Sequence, residues 1–274
     1  MKNIAKKTNT IDILNRYQLT ASKKFGQNFL VDPHVIAKIA DKASITKKTC
    51  VIEVGPGIGA LTEALAQRAG HVRCYEIDER LEEVLEETVG SFSNVEIIFQ
   101  DFLKVDLDAV ASELSETYDD LCVVTNLPYY ITSDIISKVV KSDAKINRLV
   151  AMVQKEVALK LCSEEKSPLR FYIDYVGDIS YEMTVSKTIF IPAPHVDSAV
   201  IKITKERSLY HDLEVVIEAA FKAKRKTIAN NMKPLFKEKT GEVLEECGIP
   251  ANQRAQAMSI EDFVALAKER KHVS

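Results

Sequence analysis

The chain of 274 residues lacks most of the features that assign a protein by composition. Its five cysteines are scattered, odd in number and without a pair at metal-ligand spacing. Neither a disulfide framework nor a bound metal is expected, and reduced thiols suit a cytoplasmic setting. Long apolar runs are missing: nothing approaches the length that spans a bilayer, and no apolar stretch follows the positively charged N-terminus, so neither membrane insertion nor secretion is expected. Internal repeats and low-complexity tracts are absent. An excess of charge is missing too, since a formal net charge of -3 and a pI near 6.0 would by themselves suggest no affinity for nucleic acid. What the chain does have is 46% hydrophobic residues, enough for a substantial core, and a length suited to one large and one small domain.

The apolar residues fall into short runs with polar ends. Val51 to Val54 reads as a buried strand, Gly55-Pro56-Gly57-Ile58-Gly59 as a turn, and Ala60 to Ala66 as a helix. Glycines let the backbone approach a ligand closely, and a helix start offers free N–H groups and a positive dipole end. The third glycine comes one residue earlier than in the dinucleotide pattern Gly-x-Gly-x-x-Gly, which argues against a nicotinamide cofactor. Glu76 ends the next strand-like run, His71 to Glu76, where a carboxylate can accept hydrogen bonds from ribose hydroxyls. Asp101 closes a third, Val95 to Phe99, and Asn126 a fourth, Leu121 to Thr125. Any one of these acids reads equally well as a helix cap. Together, at helix-sized spacing, they predict polar residues along the carboxyl edge of one parallel sheet, where such folds bind ligands.

Asn126-Leu127-Pro128-Tyr129 then suggests a chemistry. The amine of an aromatic ring such as adenine is a poor nucleophile because its lone pair is delocalised. Acceptors aimed at its two N–H groups would draw that pair back onto nitrogen. The Asn126 side-chain oxygen and the Leu127 carbonyl can supply them, Pro128 adds no competing N–H, and Tyr129 offers a face for stacking. Methyl transfer to a nucleobase fits this arrangement, although the tetrapeptide taken alone reads as a strand ending in an Asn-Pro turn.

Five blocks resemble those of the small-subunit ribosomal RNA adenine dimethyltransferases: Phe25 to Leu30, Glu53 to Gly59, Asn126 to Ile131, Gln154 to Ala158 and Phe190 to Ala199. The likeness runs from about residue 23 to the C-terminus. Gly26 and Leu127 favour this branch over the methylases of large-subunit RNA, which usually carry Ser-Gln-Asn-Phe-Leu and Asn-Ile-Pro-Tyr. The resemblance implies an α/β fold with a Rossmann-like class I methyltransferase sheet, mostly parallel with an antiparallel end, plus a small C-terminal helical domain. It implies S-adenosyl-L-methionine as donor and dimethylation of two adjacent adenines near the 3′ end of small-subunit ribosomal RNA, in an immature small subunit. By matching motif, Asn28 and Leu30 would close over the donor, Gly55 and Gly57 lie near its methionine part, Glu76 hold the ribose, and Asp101 with Phe102 contact its adenine. Asn126, Leu127, Pro128 and Tyr129 would hold the target base, with Phe190 on its opposite face. One segment departs: where the family usually has Tyr-Gly and then Leu-Ser ahead of a strand, this chain has Ser167-Pro168-Leu169-Arg170-Phe171-Tyr172.

The charge distribution fits such a partner better than the total does. Residues 1 to 48 hold ten Lys or Arg against three acids, and 1–22 reads as a basic N-terminal extension. Lys222, Lys224, Arg225, Lys226, Lys233, Lys237 and Lys239 form a second cluster, beside Ile217, Phe221, Ile228 and Met232 on one helical stripe. Lys222, Arg225 and Lys226 are candidate RNA contacts, although a charge run also reads as a solvated helix face. A boundary is expected near Lys205, with a donor-binding sheet domain over 1–205 and a helical RNA- or ribosome-contacting domain over 206–274. Arg148 to Val153 should add a fifth strand, and Tyr172 to Tyr175, Tyr181 to Val185 and Ala199 to Ile203 the antiparallel end. Ser259 should cap a last helix. A monomer is expected.

Overall fold

A computed structural model describes residues 3–22, 26–126 and 128–273. Leu127, named above for its carbonyl, lies outside the described residues. The chain forms two compact units: Met1–Cys162 with Ile179–Lys205, and Ser163–Asp178 with Glu206–Ser274.

The first unit is built on a seven-stranded sheet. In chain order its strands are β2 (Thr49–Val54), β3 (His71–Glu76), β4 (Val95–Phe99), β5 (Asp120–Asn126), β6 (Arg148–Gln154), β7 (Gly177–Val185) and β9 (Ser198–Lys205), while β1 (Phe29–Leu30) and β8 (Phe190–Ile191) form a separate antiparallel pair. The order across the sheet is β4-β3-β2-β5-β6-β9-β7. Strands β2 to β6 pair in parallel, and β9 runs antiparallel to β6 with Gln154 opposite Ser198. All six residues of β2 are buried, as expected of a central parallel strand covered on both faces. The chain leaves β2 toward β3 on one side and returns to β5 on the other. The carboxyl ends of β2 and β5 therefore flank the point where strand order reverses, which is where open α/β sheets hold ligands. Cys50, Cys74 and Cys122 are fully buried in these strands.

Residues 1–22 do not behave as a solvated basic arm in their described part. Lys7–Arg16 is a helix, and Ile4, Ala5, Ile13 and Leu14 are buried in the core of this unit. The Ile4 N–H donates to Glu63 Oε2 at 3.1 Å, and the Tyr17 hydroxyl and Arg16 meet Glu87. Charge counting missed this because the apolar residues that dock the helix are spread thinly among lysines.

The second unit is helical: Pro168–Val176, His211–Phe221, Ile228–Phe236, Thr240–Glu246 and Ile260–Val273. Phe171, Phe221 and Phe263 meet at its centre, with the Phe171 and Phe263 rings edge-on at 4.7 Å between centroids. Two expectations are corrected. Tyr172 to Tyr175 is helix, not strand, because Ser167 accepts from the Arg170 N–H at 3.2 Å and Pro168 opens the first turn. The departing segment is thus a capped helix start. The second correction concerns the stripe of Ile217, Phe221, Ile228 and Met232, which is divided between two helices with Lys222 to Lys226 in the turn between them; Thr227 caps the second helix. Ser259 caps the last helix, its hydroxyl accepting from the Asp262 N–H while Asp262 accepts from the Ser259 N–H. Among the described residues no helix is long and apolar enough to cross a membrane.

Candidate active site

At the carboxyl edge of the sheet a cavity of about 240 Å³ opens in the first unit, and the ends of four neighbouring strands border it. Register brings them together. Val54 pairs with both Tyr75 and Thr125, so the next residues, Gly55, Glu76 and Asn126, stand at adjacent strand ends. Glu76 pairs with Phe99, two residues before Asp101. The Gly55 N–H donates to the Tyr75 carbonyl at 2.9 Å, and the Thr125 hydroxyl to the Val54 carbonyl at 2.8 Å, which fixes this edge.

The glycine turn is needed on two counts. Gly55 has a φ of 72°, and a Cβ there would meet nothing within 4 Å, so its absence leaves open space beside the backbone. A Cβ on Gly59, at the start of helix Ala60–Arg68, would come within 2.8 Å of Val89. That glycine serves the packing of two helices.

Glu76 is 4% exposed. Its Oε1 accepts from the Ile77 and Asp78 N–H groups at 2.9 Å each, and Oε2 from the Gly57 N–H at 3.2 Å. Burial pushes its carboxyl upward, and the three backbone donors oppose that rise. The result is a carboxylate of fixed plane at the cavity wall, suited to hydroxyl donors. Asp101 is a cap that also borders the cavity: its Oδ1 accepts from the Leu103 N–H at 3.0 Å at the start of the short turn Phe102–Lys104.

Across the cavity, Asn126 closes β5 and Pro128 and Tyr129 follow. The Tyr129 hydroxyl lies 2.7 Å from Ser198 Oγ on β9, which fixes the ring. Burial raises the Tyr129 phenol, so the ring stands there neutral. Phe190 reaches the same cavity through the β1–β8 pair, where it sits opposite Leu30. Asn28, Leu30, Gly55, Gly57, Glu76, Asp101, Phe102, Asn126, Pro128, Tyr129 and Phe190 therefore line one cavity. Lys222, Arg225 and Lys226 lie in the second unit, exposed, in the turn after helix His211–Phe221.

Several lining residues escaped the sequence reading. Ile77 and Leu103 are exposed apolar side chains at the wall, each one or two positions beyond a recognised acid. Glu53 was detectable as an acid inside an otherwise apolar strand. Gln27, which lines the cavity, and Ser198, which holds the Tyr129 ring beside it, fall within blocks named above, but nothing in the sequence pointed to their partners, 51 and 69 residues away in the chain.

The profile of the ribosomal RNA adenine dimethylase family matches residues 18–272. The chain is 39% identical over 99% of its length to a ribosomal RNA small subunit methyltransferase A of Bacillus licheniformis, and 40% identical over 99% to that of a Geobacillus species, covering 99% of each relative. Among solved structures it resembles a dimethyladenosine transferase from Plasmodium falciparum, with a TM-score of 0.73 and 23% identity over 89% of this chain and 97% of that one. It also resembles the 23S rRNA methyltransferase ErmE, with a TM-score of 0.65 and 26% identity over 89% of this chain and 100% of that one. The chain belongs to the ribosomal RNA adenine dimethylase family.

Proposed function

We propose that the cavity at the carboxyl edge of the sheet dimethylates the exocyclic amines of two adjacent adenines near the 3′ end of small-subunit ribosomal RNA, in an immature subunit. The observation that carries this reading is the sharing of one cavity by the glycine turn and Glu76 on one side and Asn126, Tyr129 and Phe190 on the other. The small-subunit substrate is supported by the relatives that are 39–40% identical over nearly the whole chain, which are small-subunit methyltransferases.

The residues present fit S-adenosylmethionine. Open space at Gly55, a buried carboxylate at Glu76 and apolar walls at Ile77 and Phe102 suit a sulfonium amino acid, a ribose and a purine in that order. When bound, this donor supplies a methyl group on a positively charged sulfur, so no covalent enzyme intermediate is required. The work left to the chain is orientation. The Asn126 oxygen and the Leu127 carbonyl accept the two amine hydrogens and return the lone pair to nitrogen. Tyr129 and Phe190 sandwich a base turned out of its stack, with stacking contributing about 1–3 kcal/mol per base. Water takes the proton that methylation makes acidic. The basic turn Lys222 to Lys226 contacts phosphates, and the protein acts as a monomer.

The test is incubation of the full chain with immature small subunits and labelled donor, followed by mass analysis of nucleosides. Dimethyladenosine at two adjacent positions is expected. Asn126→Ala should lower turnover by about one to three orders of magnitude and leave donor affinity within a few fold. Unchanged turnover would remove Asn126 from the mechanism, and small subunits left unlabelled while large-subunit RNA incubated in parallel is methylated would overturn the substrate.

A further inference from the structure

Residues 26–30 form one wall of the cavity, and the segment is moored at both ends. At the far end Phe29 and Leu30 pair with Ile191 and Phe190, and the Val31 N–H donates to the Ile189 carbonyl at 2.9 Å. Midway, the Phe29 ring packs over the glycine turn, where a Cβ on Gly57 would touch it at 3.5 Å. At the near end the tie to Asp78 is a single side chain, beside a backbone bond from the Gln27 N–H to the Ser22 carbonyl at 3.2 Å. Gln27 Nε2 donates to Asp78 Oδ2 at 2.8 Å, and Gln27 Oε1 accepts from the Ser22 N–H at 2.9 Å.

Asp78 is 2% exposed and is held from the other side by Arg80, whose Nε and a terminal nitrogen donate to its two oxygens at 2.8 and 2.6 Å. Its backbone N–H is also one of the donors that fix Glu76 Oε1. Two bonds therefore separate the Glu76 carboxylate from the wall segment: Asp78 N–H to Glu76, and Gln27 to the Asp78 side chain.

We infer that Gln27 and Asp78 are positioning residues for the methyl donor, joining the carboxylate that holds its ribose to the wall that closes over it. Donor bound at Glu76 then holds the wall shut, and a released wall weakens the donor. The inference rests on the ribose role of Glu76 and names no contact between Gln27 and the donor itself.

A swap of partners separates this coupling from a general role in folding. Gln27→Glu sets a carboxylate against Asp78 and should raise the dissociation constant for S-adenosylmethionine about tenfold, read by calorimetry on the full chain. Adding Asp78→Asn puts an amide N–H across the same gap but turns it toward Arg80 as well, so the double variant should recover part of the loss and bind donor about threefold better than Gln27→Glu. Gln27→Ala should fall between them, and turnover at saturating donor should stay within about threefold in all three, giving a KM effect without a kcat effect. Unaltered donor binding in both Gln27 variants, or a double variant no better than Gln27→Glu, overturns the coupling. Glu76→Ala is the control: if it binds donor normally, the ribose assignment fails and the inference with it, whereas weak binding in Glu76→Ala beside normal binding in the Gln27 variants refutes the coupling alone.

Discussion

Glu53 is a carboxylic acid on a strand whose six residues are all buried, and it is itself 1% exposed at the cavity wall. Burial raises its carboxyl from 4.5 to about 7; the Cys74 thiol, donating at 3.4 Å, opposes the rise and nearby Glu76 adds to it. A raised acid binds its proton in the folded state while the unfolded chain has already released it. Stability therefore falls as pH rises from about 4.5 to 7, and the full penalty, on the order of 3 kcal/mol, is present above that window. Glu53→Gln removes the titration and keeps the shape. Denaturant unfolding over pH 5 to 8 should show the variant gaining on the parent protein by up to about 3 kcal/mol toward the alkaline end. Parallel stability curves for the two proteins would mean that Glu53 is ionised throughout.

At the scale of elements, the basic turn depends on one buried amide. Asn231 is 6% exposed in helix Ile228–Phe236, and its Nδ2 donates to the Ala220 carbonyl at 2.6 Å and the Ala223 carbonyl at 3.2 Å. The Ala220 carbonyl is in the last turn of helix His211–Phe221 and lacks an intrahelical partner, while the Ala223 carbonyl, just beyond it, also accepts from the Lys226 N–H at 2.9 Å. Asn231→Ala should cost about 1–3 kcal/mol by leaving the Ala220 carbonyl unpaired, and hydrogen exchange should quicken at 220–231 ahead of the rest of the unit. Uniform exchange would assign the loss to packing alone. The same turn shows where sequence reading stops. Ile217, Phe221, Ile228 and Met232 are all buried, and their spacings of four, seven and four fit one continuous helix, so periodicity hides the break that Thr227 caps. In Tyr172 to Tyr175 the aromatic run suggested a strand, and the Ser167-Pro168 start outweighed it. Strands β2 to β6 were legible because each is a short, largely apolar run closed by a glycine turn or, at or just beyond its end, a polar residue. The cavity was legible for the same reason: register turns evenly spaced strand ends into neighbours. The mooring by Gln27 and the Tyr129–Ser198 bond were not, since both are long-range pairings of common polar residues.

For the whole molecule, the question is how a chain of net charge -3 holds a polyanion. The answer proposed is that many of its cations are already neutralised locally. Arg73 meets Glu96 and Glu113, Arg148 meets Asp120, Arg170 meets Asp174, Lys42 meets Glu182, and Arg16 and Arg270 pair with Glu87 and Asp212. Arg73 and Arg148 are largely buried as well, which leaves them nothing to offer a phosphate. Lys222, Lys224, Arg225 and Lys226, by contrast, are exposed, and none has an ion pair among the described residues. A cation without a protein partner can displace condensed counterions from RNA, so affinity should depend steeply on salt despite the negative total. Replacing Lys222, Arg225 and Lys226 together with alanine should weaken binding to small-subunit RNA and reduce the slope of log affinity against log salt by about 2–3. Donor affinity should be unchanged, because no residue of this turn lines the cavity. An unaltered salt slope in the triple variant would move the phosphate contact elsewhere, with the exposed lysines Lys6 and Lys7 of the N-terminal segment next to be tested.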